Sequence, residues 1–195
     1  LMKRYNLLIV LLLLIFNLTN AQKKGSPAAD FSAVGEAKSK IESTVPLVIK
    51  HLKEVSEKEN DPNILSNGTA ALAKEYGKVE LEWRLYRGNM NNCILNNSSK
   101  KAKKCMEYHN NMFRGTLTNY NNYITNLTRK NGYLGVDGDT KLNFNPAEIT
   151  TKLSESFFNG NDAANRMKGM QKKEFIGQTM KDDNALTPFN QLTAQ

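Results

Sequence analysis

Two cysteines and two histidines are all that 195 residues offer of the side chains most used as metal ligands, nucleophiles and acid–base catalysts. No G-x-S-x-G, H-E-x-x-H, phosphate-binding loop or dinucleotide fingerprint occurs, which removes the serine-hydrolase elbow, the zincin site and the common nucleotide folds. No Cys-x-x-Cys-His haem attachment occurs either. Carboxylate-only catalysis stays open in principle, but no isolated acidic pair stands out. The chain reads as a non-enzyme that uses no cofactor.

Long apolar runs are also scarce. The longest, Leu7 to Phe16, has ten residues, about 15 Å of helix against a bilayer core of about 30 Å. It is too short to span. No other stretch approaches the length of a membrane helix, so no integral segment is expected once this one is removed. Lys3 and Arg4 precede the run and Thr19-Asn20-Ala21 follows it. A short positive region, an apolar region and a small-residue exit are the three parts of a secretory signal. Residues 1–21 are therefore expected to be a cleaved signal peptide, and the protein to be exported, periplasmic or extracellular.

The remaining 174 residues suit one domain with a genuine core. The signal takes Lys3 and Arg4 with it and no acid, so the net charge falls from +8 to +6. That charge favours solubility and marks no nucleic-acid specialist. Asparagine doublets at Asn91-Asn92, Asn96-Asn97, Asn110-Asn111 and Asn121-Asn122 read as genome composition rather than chemistry. In an oxidising compartment Cys93 and Cys105 are expected to form a disulfide. A metal centre there would need more ligands, and only His109, at i+4 from Cys105, lies nearby.

Residues 22–29 read as a polar linker, 30–176 as a helical domain and 177–195 as a flexible C-terminal tail. From Asp30 the residues Phe31, Val34, Ile41, Val45, Val48, Leu52 and Val55 fall at helical spacing. Pro46 must kink that helix or start a new one near Ser43-Thr44. The clearest signal comes next. Leu72, Tyr76, Val79, Trp83, Tyr86, Met90 and Cys93 alternate spacings of four and three, an a/d seam of three heptads. After a polar break from Asn96 to Lys101, a second seam runs through Ala102, Met106, His109 and Phe113. It slips near Thr116-Leu117 and continues through Tyr120, Ile124 and Leu127. Two matching seams with a short connection predict an all-α bundle built on a long antiparallel helical hairpin, clamped at its tip by the disulfide. Asn145-Pro146 opens a further helix with Ile149, Leu153 and Phe157 on one face.

The glycine-rich stretch 131–145 has two readings. Asp137, Asp139, Asn145 and Glu148 fall at calcium-loop positions, making a weak candidate site. Lys141 and Leu142 stand where that loop needs an oxygen ligand and a glycine, however. A small β-hairpin over 133–144, turning at Asp137-Gly138, fits better. His51, between Lys50 and Lys53, is expected at a solvent edge, and His109 at a register-setting seam position. Lys100, Lys101, Lys103 and Lys104 form a possible anion patch, but without arginine or interleaved aromatics they do not predict sequence-specific nucleic-acid binding.

These features converge on an exported soluble helical protein that binds a protein partner or itself through its helix faces. The alternative is a carrier of an apolar or anionic small ligand held inside the bundle.

Overall fold

The structure, a computed structural model, describes residues 32–130, 144–166 and 185–194. The expected signal peptide and linker, the 133–143 part of the β-hairpin, and Asp137 and Asp139 lie outside the described residues. Those described are mostly helical, with no strand among them: α1 (Ser32–Glu42), α2 (Thr44–Glu59), α3 (Pro62–Asn96), α4 (Ser99–Lys130), α5 (Pro146–Arg166) and the single turn α6 (Phe189–Leu192). No described helix is long and apolar enough to cross a membrane.

Pro46 resolves into a helix start. A continuous helix would need an N–H at Pro46 for the carbonyl of Glu42, and proline has none. The chain breaks at Ser43 instead, and proline sits in the first turn of α2, where no donor is missed. Side chains satisfy the carbonyls freed at the end of α1: the Ser43 hydroxyl donates to Lys40 O (3.1 Å) and the Thr44 hydroxyl to Ile41 O (2.6 Å). Asn60 ends α2 in the left-handed region, φ 53°, a conformation asparagine tolerates better than most residues. Asp61 then caps α3, its carboxylate accepting from Asn63 N at 2.9 Å, with Pro62 at the first helical position. Asn145 does the same for α5, accepting from Ala147 N (3.0 Å) and Glu148 N (3.3 Å).

Every member of the first seam, Leu72 through Cys93, is buried on α3. On α4 the buried residues are Ala102, Met106, Phe113, Leu117, Tyr120 and Ile124, with His109 and Leu127 half-buried. The side-chain contacts between the two helices run in opposite order along them. Cys93 meets Cys105, Tyr86 stacks on Phe113 (4.8 Å between centroids), Trp83 meets the same ring edge-on (5.8 Å), and Tyr76 meets Tyr120 (6.4 Å). Such offset and edge-on aromatic pairs stabilise by about 1 kcal/mol each beyond the area they bury. Elements α1, α2 and α5 complete the core with Ile41, Val48, Leu52, Ile149, Leu153 and Phe157. At Gly68 the approach of α2 is close: a Cβ there would stand 2.6 Å from a Leu52 methyl.

Polar ties cross the core at chosen points. The hydroxyls of Thr44 and Tyr120 lie 2.9 Å apart. Tyr76 donates to Thr187 O at 2.8 Å, and Thr187 N donates in turn to a Glu42 carboxylate oxygen. Leu186 is buried and Phe189 packs on Tyr76. Within the stretch expected to be a flexible tail, residues 185–194 thus have a docked position. Single anchors hold them, which periodicity cannot register. Burial pushes the Tyr76, Tyr86 and Tyr120 phenols well above their ordinary range, with Glu42 adding to the effect at Tyr76 and the Thr44 bond opposing it at Tyr120.

Candidate functional site

Two places on the α3–α4 pair hold groups that the core does not use. The first is its tip. Only Asn97 and Ser98 separate the two helices, and Cys93 and Cys105 are joined as a disulfide across that link with Cα atoms 5.6 Å apart. Cys93 is buried and Cys105 half-buried. His109 follows one turn after Cys105 on the same side of α4, as i and i+4 residues must. One of its ring nitrogens and both sulfurs all lie within 4.8 Å of one another. The seam position predicted for His109 therefore brings it to the disulfide.

Lys100, Lys101, Lys103 and Lys104 are all exposed in the opening turns of α4. Each helical residue turns the chain by about 100°, so Lys103, Lys100, Lys104 and Lys101 fan in that order across about 160° of the helix surface. His51 departs from expectation. It is 7 % exposed, because α2 turns Val48, His51, Leu52 and Val55 together toward the core while Lys50 and Lys53 face solvent. Neighbouring lysines in sequence were a poor guide to a residue one helical step round. Asn145 and Glu148, the described members of the calcium-loop reading, have other partners. Asn145 caps α5. Glu148 binds Lys40 and Lys152, each at 3.2 Å. The two ammonium groups, Lys152 foremost, hold its carboxyl below the usual range, and Glu148 raises Lys152 in return. The Lys40 pair links α1 to α5, the Lys152 pair lies within α5, and both are exposed, where ion pairs contribute little.

The second place was not anticipated. Leu81, Leu85, Tyr108 and Met112 are 57, 48, 61 and 51 % exposed, far more than their chemistry favours. Leu81 and Leu85 are one turn apart on α3, opposite the buried seam. On α4, Tyr108, Met112 and Thr116 form one row at i, i+4 spacing. Thr116 and Leu81 line the same groove of about 250 Å³ between the helices, with Glu75, Lys78, Glu82 and Asn119. Of the four apolar side chains Leu81 lines the groove itself, with Leu85 one turn further along α3 and Met112 one turn before Thr116 on α4. Scattered exposed leucines need no explanation, whereas a contiguous set does. Around it stand glycines that no neighbouring described residue requires: a Cβ added at Gly77, Gly88 or Gly115 would meet no described atom of another element or of a distant side chain within 4 Å. Mid-helix glycine costs about 1 kcal/mol relative to alanine. The sequence did carry a signal for this face, since Gly77, Leu81, Arg84 and Gly88 recur at spacings of four, three and four, with Leu95 two turns further on, a second seam turned outward.

No protein-family model matches the chain, and neither does any curated protein or solved structure. The functional reading rests on these residues alone.

Proposed function

We propose that the protein is a non-enzymatic, self-associating helical module, with a disulfide-clamped antiparallel hairpin as its scaffold and the outward face of α3 and α4 as its docking surface. The observation that carries this reading is the exposed set Leu81, Leu85, Tyr108 and Met112 on α3 and α4, with Leu81 lining the groove between the two helices. The occupant is a second copy, because α3 bears both the knobs and the gaps. A two-fold axis passing Leu81 sets Leu85 of each copy over Gly77 of the partner subunit.

The stretch that this axis maps onto itself runs from Gly77 to Leu85, about 12 Å of helix, a contact of the small, reversible class below the ~800 Å² per partner of a standard interface. Export removes the protein from nucleotide cofactors, which accords with a scaffold that offers binding faces in place of reactive groups.

A photo-reactive side chain at Leu85 tests the docking surface directly. Irradiation should join two copies, with the link at or beside Gly77. The same group at exposed Glu54 on α2 should join none. Links from position 85 confined to one chain contradict the proposal.

A further inference from the structure

We propose that reduction of the Cys93–Cys105 disulfide converts the tip of the α3–α4 pair into a binding site for a zinc-type divalent cation, ligated by both sulfurs and a ring nitrogen of His109. Thiolate and imidazole are the donors such a cation prefers, and a Cys₂His set with water in the fourth position is an established coordination type. The ligand atoms already lie within 4.8 Å of one another. A tetrahedral ion about 2.3 Å from sulfur and about 2.0 Å from nitrogen requires neighbouring ligands about 3.5–3.8 Å apart. Small side-chain rotations reach that spacing once the sulfurs are no longer bonded.

Three features keep the ligands in place without the covalent bond. The two-residue link holds the cysteine backbones together. Met90, Ile94, Ala102 and Met106 are buried around them, so packing of the tip does not depend on the sulfurs alone. His109 is fixed relative to Cys105 by the helix itself. Half-burial of Cys105 and His109 leaves a route for the ion and for a water ligand, while buried Cys93 closes the other side.

The chemistry balances simply. A dithiol reductant gives two electrons and two protons to the S–S bond and is itself oxidised to a disulfide. The two thiols then release their protons as the cation binds, so uptake strengthens as pH rises. The oxidised protein offers one imidazole and no thiolate, so the site exists in only one redox state.

The test uses the purified protein, oxidised or reduced, titrated with Co²⁺ as a spectroscopic stand-in and then with Zn²⁺. Reduced protein should keep its helical circular dichroism. It should also develop thiolate-to-cobalt charge-transfer absorption at one equivalent and lose it to Zn²⁺. The oxidised protein should show none. His109→Ala should weaken uptake by more than roughly a hundredfold, beyond the ~10–100-fold that outer ligand partners usually contribute, and Cys93→Ser should abolish the charge-transfer band at one equivalent. Four results would overturn the proposal: no band in the reduced protein, equal uptake by the oxidised protein, an unchanged His109→Ala variant, or loss of helix on reduction.

Discussion

Thr44 and Tyr120, 76 residues apart, share a buried hydrogen bond 2.9 Å long, and the Thr44 hydroxyl also lies 2.6 Å from Ile41 O. One threonine thus closes the end of α1, opens α2 and ties that corner to the middle of α4. Thr44→Val keeps the shape and removes the hydroxyl, leaving a buried phenol and a helix-end carbonyl without that partner. The expected cost is about 1–3 kcal/mol. Tyr120→Phe alone should cost less, and the double variant less than the sum of the two. Urea unfolding of the four proteins checks this, and strict additivity would show that the two hydroxyls are not coupled.

Alkaline stability follows from the tyrosines. Folding keeps the Tyr76, Tyr86 and Tyr120 phenols protonated by burying them, so their folded pKa values lie above the unfolded value of about 10. Above that pH the unfolded chain binds fewer protons than the folded one, and stability falls as pH rises. Their contribution is whole below about pH 10 and declines above it. Urea midpoints measured across that range should drop, with tyrosinate absorbance and helix loss appearing together. Tyr86→Phe should make the decline shallower. Phenols that ionise near the ordinary value while the helices stay intact would contradict the burial.

Docking of the chain end is testable at Leu186, which is 1 % exposed. Leu186→Ala should cost about 2–4 kcal/mol if that side chain belongs to the core. An exposed tail residue would change stability by less than about 0.5 kcal/mol. Chemical unfolding distinguishes the two.

The inward seams were legible because burial on one helix face imposes a period, and Leu72 to Cys93 keep that period without a lapse. The cap at Asn145 and the break at Pro46, though not whether it kinked or restarted the helix, were legible because each is a rule written in adjacent residues, and the disulfide because only two cysteines, 12 residues apart, were there to pair. His51 was misplaced by its lysine neighbours, and a helical wheel aligned on Val48, Leu52 and Val55 would have corrected it. The ties Tyr76–Thr187 and Thr44–Tyr120 join residues far apart in the chain, and no local pattern encodes such a meeting. The outward face of α3 was hidden by its success elsewhere. Once a helix shows one clear seam, its opposite side is taken as solvated, although Leu81 and Leu85 break that expectation.

Gly77→Leu tests self-association most directly, because among the described residues no packed neighbour lies within 4 Å of a Cβ at that position. The substitution should leave folding intact, and even stabilise the monomer by several tenths of a kcal/mol through helix propensity, while filling the gap that receives Leu85 of the partner subunit. Sedimentation velocity over a wide concentration range provides the readout. A reversible dimer is expected for the unaltered protein, and a monomer for Gly77→Leu at the same concentrations with an unchanged or higher melting temperature. Identical sedimentation of the two proteins, whether both monomeric or both dimeric, would contradict it.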